Sequence, residues 1–133
     1  MTLRASGEDY LKAVLVLTKR IGRIRAIDVA GYLGFAKTSV SHGLRLLREN
    51  GFLARDEEGY IYLTETGLEE AEKIYARHCF FTRWLTGAGI DPETAERDAC
   101  RMEHAISEES FRQLTDALES VQKAPEDNGE DGK

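Results

Sequence analysis

Apolar positions recur with a helical period along most of the chain and with a strand period in one short stretch. Tyr10, Ala13, Val14 and Leu17 fall at i, i+3, i+4 and i+7, one face of a helix beginning near Glu8. Ser6 and Gly7 stand before it as capping material, and Gly22 ends it. A short helix is predicted over residues 26–34. A second follows, capped by Thr38 and carrying Val40, Leu44 and Leu47 on one side. Ala30 is small enough for two helices to cross closely, Gly34 supplies the positive φ of a tight turn, and Val40 locks the second helix on the first. This is the spacing of a helix-turn-helix, although other paired helices show the same triplet.

The next segment narrows the choice. Gly51 stops the second helix. Phe52-Leu-Ala-Arg, Asp56-Glu-Glu-Gly59 and Tyr60-Ile-Tyr-Leu63 then read as strand, turn and strand, with Tyr60 and Tyr62 alternating against Ile61 and Leu63. A hairpin directly after a helix-turn-helix is a winged helix. A long helix is expected over residues 68–87, broken by Gly87 and Gly89, and another opens at Asp91-Pro92 and runs to about Ala105. Ser107 caps a last helix striped by Phe111, Leu114, Leu118 and Val121, with Glu108 and Glu109 at the positive end of its dipole. From Lys123 the chain is acidic and lacks large apolar residues, the composition of a disordered tail. The fold class is therefore mainly α with a small β-hairpin wing: a winged helix-turn-helix over residues 1–66, an α-helical domain over 67–122, and a tail over 123–133. Three apolar helix faces exceed what so short a second domain can bury alone, so residues 68–121 are expected to form an isologous homodimer.

Charge adds a direction. The net charge of −6 over 133 residues hides an asymmetry: residues 1–55 hold ten Lys/Arg against four Asp/Glu, residues 56–133 eight against twenty. A basic front on an acidic body points to an anionic partner met by the front alone, unless the clustering is chance. No run approaches the roughly 18 uncharged apolar residues of a membrane span. The start, Met1-Thr-Leu-Arg, leads into a charged segment with no secretory pattern. Two cysteines, Cys79 and Cys100, are too few for a disulfide scaffold, and a cytoplasmic location is expected.

The chemistry lies in Cys100-x-x-Glu103-His104. Residues at i, i+3 and i+4 share one helical face, so a thiolate, a carboxylate and an imidazole meet there. Such a set can ligate a divalent transition metal once a fourth ligand arrives, for which Asp9 is a candidate. By spacing alone a buried cysteine beside a solvated Glu-His pair remains the alternative.

The string Asp98-Ala-Cys-Arg-Met-Glu-His-Ala-Ile-Ser107 resembles the metal-site helix of the diphtheria-toxin-repressor and manganese-transport-regulator family. Glu8-Asp-Tyr-Leu11 resembles that family's N-terminal metal segment, Leu63-Thr-Glu-Thr-Gly67 the end of its wing, and Arg77-His78 the histidine position on its long helix. The matches keep the family's order from about residue 6 to residue 120. The resemblance implies a homodimeric, metal-activated repressor in a short two-domain form, without the SH3-like third domain of longer members. It implies a primary site of Asp9, Cys100, Glu103 and His104, with His78 in a second or binuclear site. It also exposes departures. Lys12 stands where the manganese branch has a carboxylate ligand, Thr82 where many members have glutamate, and Ala105 where the manganese branch has a second histidine. Glu96 is a candidate substitute ligand. A cation at Lys12 argues against a two-manganese cluster. Cys100 ranks Fe(II) ahead of Mn(II), with Zn(II) or Co(II) able to bind in vitro.

The remaining expectations concern partners. The helix from Thr38 to Arg48 should enter the major groove of double-stranded DNA, with Lys37, Ser39, Ser41 and His42 nearest the base edges, Arg45 and Arg48 toward phosphates, and Thr38 also among the DNA-binding residues. A two-fold dimer implies a palindromic operator. The acidic wing tip, Glu57–Gly59, should contribute less. Cys79 reads as a packed thiol, and Trp84 with Phe80, Phe81 and Leu85 as core or dimer interface. No organic cofactor is expected. An enzyme is disfavoured, since the chain has no His-Glu-x-x-His, nucleophile elbow or phosphate loop. The main rival is a winged-helix regulator that senses oxidants through Cys79 or Cys100.

Overall fold

α1 (Ala5–Ile21) is buried on more than one side. A computed structural model, which describes residues 5–118, sets it at the centre of the molecule, packed against elements from both halves of the chain. Tyr10, Leu11, Ala13, Val14, Leu15 and Leu17 are all buried, a wider band than the single face read from the sequence. Ser6 and Gly7, expected as caps, lie inside the first turn. N–H groups there have no intrahelical partner in any case, so a glycine or serine costs little.

α2 (Ala26–Leu33) and α3 (Lys37–Glu49) form the helix-turn-helix. Arg25 N–H donates to Asp28 Oδ2 at 2.8 Å to open α2. Gly34 closes it in the left-handed region, φ 72°, its N–H bonded to the Ala30 carbonyl at 2.9 Å. Ala30 and Val40 are buried in the crossing, as their spacing requires. Thr38 does not cap α3. The extended backbone of Ala36 opens the helix without a side-chain cap, and Thr38 is left exposed within the first turn. Gly43, in the middle of α3, is where the Tyr10 ring lies flush against the helix: any Cβ there would overlap the ring. Tyr10 also meets Phe35 edge to face, with ring centroids 6.2 Å apart.

The wing is a two-stranded antiparallel hairpin of β1 (Leu53–Arg55) and β2 (Ile61–Leu63), in register Leu53 to Leu63. Asp56 Oδ1 accepts from the N–H groups of Glu58 and Tyr60, both at 2.9 Å, and Gly59 takes φ 92° to close the turn. Ile61 N–H donates to the Ile24 carbonyl, which ties the hairpin to the loop after α1.

α4 (Glu65–Gly87) starts three residues earlier than its apolar pattern implies, because Thr64 caps it by accepting from Gly67 N–H at 3.1 Å. The same hydroxyl donates to the Gly51 carbonyl, joining the helix to the end of α3. α5 (Pro92–Ala105) opens with Asp91 as cap and Pro92 in the first turn, and packs along α4. Ser107 Oγ accepts from Ser110 N–H at the head of a helical stretch over residues 108–118. Phe111 from that stretch stacks with Phe80 and Phe81, and Phe80 with Trp84. Trp84 is 45% exposed and Leu68 and Tyr75 are also open. Val121 of the predicted stripe and the tail over 123–133 lie outside the described residues. Among the described residues no helix is long and apolar enough to cross a membrane.

Candidate metal centre

Glu103, on the buried face of α5, has no solvent exposure, and both its oxygens are taken. Oε2 accepts from Lys12 Nζ on α1 at 2.8 Å, and Oε1 lies 2.9 Å from His78 Nδ1 on α4. Arg77 reaches the Glu103 carbonyl at 3.3 Å and holds the same turn. Three helices therefore converge on one carboxylate.

Donor atoms gather on either side of it. His78, Cys100 and Glu103 form one triad and Asp9, Glu103 and His104 a second, each with ligand atoms within 4.8 Å of one another. Cys100 Sγ lies 3.7 Å from His78 Nδ1 and 3.7 Å from Lys12 Nζ. His104 Nε2 is 2.9 Å from Asp9 Oδ1 and 3.5 Å from Glu103 Oε2, while its Nδ1 is 2.6 Å from Glu8 Oε1. One imidazole thus bridges two consecutive carboxylates of α1 from a position 95 residues away in the chain.

The charges support each other. His78 is pushed up to about 9, first by its hydrogen bond to Cys100 and then by that to Glu103, so without a metal it is an imidazolium at neutral pH. Burial opposes the Lys12 charge, but the hydrogen bond and field of Glu103 outweigh it and the ammonium is held above its ordinary range. Lys12 is only 7% exposed.

The donor chemistry fits a divalent first-row ion: oxygen and nitrogen in one triad, nitrogen, sulfur and oxygen in the other. The residues marked from the sequence meet here, grouped differently from the single four-ligand site that the resemblance implied. Cys100 falls with His78, and Asp9 with His104. Glu103 belongs to both. Glu96 is exposed on α5 and belongs to neither triad. Thr82 turns its hydroxyl back to the His78 carbonyl at 2.7 Å, and Ala105 is exposed. Glu8 was missed as a partner of His104. Its signals were its place in the Glu8-Asp-Tyr-Leu11 segment and its position one residue before Asp9. Cys79 is half-buried and outside both triads.

A second surface lies on the helix-turn-helix and the wing. An open groove of about 520 Å³ runs between α3 and the wing, lined among others by Lys37, Thr38, Ser41, His42, Arg45 and Arg48. Ser39 is exposed beside it, and Arg45 Nη2 is 3.0 Å from His42 Nδ1. Arg55 and Gly59 close the groove from the wing side, a contribution that the acidic turn had hidden. Arg23 and Arg25 stack over the Tyr60 ring at 4.7 and 4.3 Å, so the wing carries guanidinium groups at its base.

Residues 64–130 match the family model described as the metal binding and dimerisation domain of iron dependent repressors. An uncharacterized HTH-type transcriptional regulator of Methanocaldococcus jannaschii is 33% identical over 82% of this chain and 89% of its own. The transcriptional regulator MntR of Escherichia coli is 32% identical over 78% of this chain and 67% of its own. Among solved structures, IdeR of T. acidophilum superposes with a TM-score of 0.72 at 24% identity, covering 89% of this chain and 55% of that one. The manganese regulator SloR superposes with a TM-score of 0.76 at 23% identity, covering 90% and 55%. The chain spans about half the length of those two structures.

Proposed function

This chain belongs to the family of metal-dependent transcriptional repressors related to the diphtheria toxin repressor and the manganese transport regulator, and on that premise we propose that it binds a palindromic operator as a homodimer when a divalent ion joins its two domains. The observation that carries the reading is the convergence of α1, α4 and α5 on Glu103. Asp9 and Glu8 belong to the helix against which the helix-turn-helix packs, whereas Glu103 and His104 belong to the helix pair beyond the wing.

An ion held by Asp9, Glu103 and His104 supplies two positive charges at that junction. Glu8 and Asp9 are the residues that commit α1 to α5, and His104 is the residue that receives them. Tyr10, next to Asp9, bears on Gly43 and so relates α1 to α3. Ligand binding then favours one arrangement of the two α3 helices in the dimer over others. Lys37, Thr38, Ser39, Ser41 and His42 face base edges in this reading, with Arg45, Arg48 and Arg55 on phosphates. The exposed Trp84, Tyr75 and Leu68 offer apolar surface to the second subunit.

Fe(II) and Mn(II) are the proposed activators. The oxygen and nitrogen donors of Asp9, Glu103 and His104 suit both. Cys100, the soft donor that favours Fe(II), is grouped with His78 and not with Asp9 and His104.

The test is a titration of operator binding against anaerobic Fe(II), Mn(II), Co(II) and Zn(II), with random DNA as control. Metal-dependent preference for the operator, lost in Asp9→Ala and His104→Ala, is expected. Equal binding of both DNAs with and without metal would overturn the reading. The oxidant-sensing alternative draws on Cys100, a partly exposed sulfur 3.7 Å from an ammonium. It predicts that replacing both cysteines abolishes regulation, whereas the metal reading predicts that the response persists.

A further inference from the structure

Lys12 has no place in a conventional ligand set, yet it sits inside this one. Its ammonium is 2.8 Å from Glu103 Oε2 and 3.7 Å from Cys100 Sγ, so it touches two of the three members of the His78–Cys100–Glu103 triad. The side chain is 7% exposed and its carboxylate partner fully buried, so this is a built contact and not a surface lysine lying over a cleft.

We propose that the Lys12 ammonium is a resident cation of this centre, standing in the place of a second metal ion, so that each chain holds one divalent ion, at Asp9, Glu103 and His104, where the donor set would otherwise hold two. The inference rests on the metal-dependent reading above.

Charge matching supports it. The groups that carry or can carry negative charge around the two triads are Glu8, Asp9, Glu103 and Cys100. Four negative charges balance two divalent ions. With Lys12 fixed among them, two ions would leave the buried centre with excess positive charge, which a low-dielectric site resists strongly. One ion and one ammonium set three positive charges against those four groups, without the excess. Contact geometry agrees. An ion ligated by Cys100 and Glu103 would have to share those atoms with an ammonium already in hydrogen-bond range of both. On the Asp9–His104 side the ammonium is bonded to Glu103 alone, so an ion there shares one carboxylate with it and has Asp9 and His104 to itself.

The assay is Co(II) binding to the whole protein under anaerobic conditions, read as ions per chain and as thiolate-to-cobalt charge-transfer absorption. Wild type should bind one Co(II) per chain without the thiolate band. Lys12→Met, which keeps length and removes charge, should bind a second ion at least tenfold more tightly than wild type and gain the band. Lys12→Met with Cys100→Ser should lose the band again. Far-UV circular dichroism establishes that each variant is folded, and Lys12→Gln provides a second charge-removing substitution where Lys12→Met unfolds. Two ions per wild-type chain, or one ion in wild type and in every Lys12 variant, overturns the proposal and leaves the metal reading intact. No binding by wild type or variants overturns both.

Discussion

Replacing Glu103 by alanine is the sharpest test of how the three helices are held together without metal. The carboxylate is fully buried and serves Lys12 at 2.8 Å and His78 at 2.9 Å. Its loss strands the Lys12 ammonium, 7% exposed, with only the Cys100 sulfur at 3.7 Å. Removing one partner of a buried pair costs about 3–5 kcal/mol, because the remaining charge keeps its desolvation penalty. Set against a total stability of about 5–15 kcal/mol, that is a large fraction. With a urea slope of about 2 kcal/mol/M, the midpoint should fall by roughly 2 M. The measurement is urea unfolding of the EDTA-treated protein followed by circular dichroism. Lys12→Met/Glu103→Leu removes the whole pair in favour of apolar volume and should regain most of the loss, since such exchanges are often neutral or stabilising. A loss below about 1 kcal/mol for Glu103→Ala, the worth of an exposed ion pair, would refute the view that this pair is desolvated.

Gly67→Ala should destabilise, although glycine to alanine within a helix ordinarily gains about 0.5–1 kcal/mol. The new Cβ would overlap the Phe52 carbonyl oxygen, which belongs to backbone and cannot swing aside, so a lowered melting temperature is expected and a raised one refutes the contact. The metal-free protein should lose stability with rising pH through His78. Its folded value of about 9 exceeds the ordinary 6.5, so the folded state holds the proton more tightly. The contribution is complete below about 6.5 and fades as pH climbs toward and past 9. Urea midpoints across that range should fall less steeply in His78→Gln than in wild type, and parallel curves would contradict the assignment. Arg45→Ala should weaken operator binding and lower the salt slope by about one ion, as loss of a phosphate contact requires, measured by fluorescence anisotropy at several salt concentrations; an unchanged slope removes Arg45 from the phosphate contacts.

What was legible in the sequence follows from how local each signal is. Ala30, Gly34 and Val40 announce the helix-turn-helix because a close crossing and a tight turn constrain neighbouring residues. Cys100, Glu103 and His104 announce a shared face because helical spacing alone brings them together. The apolar stripe of α1 was legible, but not its burial by several elements at once, which depends on what folds around it. Helix starts slipped where backbone or a hydroxyl outside the apolar pattern made the cap, at Ala36 and Thr64. The division of the donors was beyond reach for the same reason. Lys12 meets Glu103 across 91 residues and Cys100 meets His78 across 22, and no periodicity encodes either distance. The family resemblance named candidate ligands and set the Lys12 cation against a second ion, but held no sign of its contact with buried Glu103.

The Tyr10 ring on Gly43 has a mechanical consequence. Asp9 and Tyr10 are consecutive, so the proposed metal ligand and the group that bears on α3 ride on the same turn of α1. A side chain at residue 43 would have interposed rotatable bonds, and those bonds would absorb small displacements. Bare backbone against a flat ring has no such slack. A displacement of α1 by a fraction of an ångström must reach α3 as displacement of the whole rod, as motion passes through a gear train without backlash. In the proposed metal switch, the fidelity with which the recognition helix would report metal occupancy is then set by a missing methyl group, on a helix that belongs to neither donor triad.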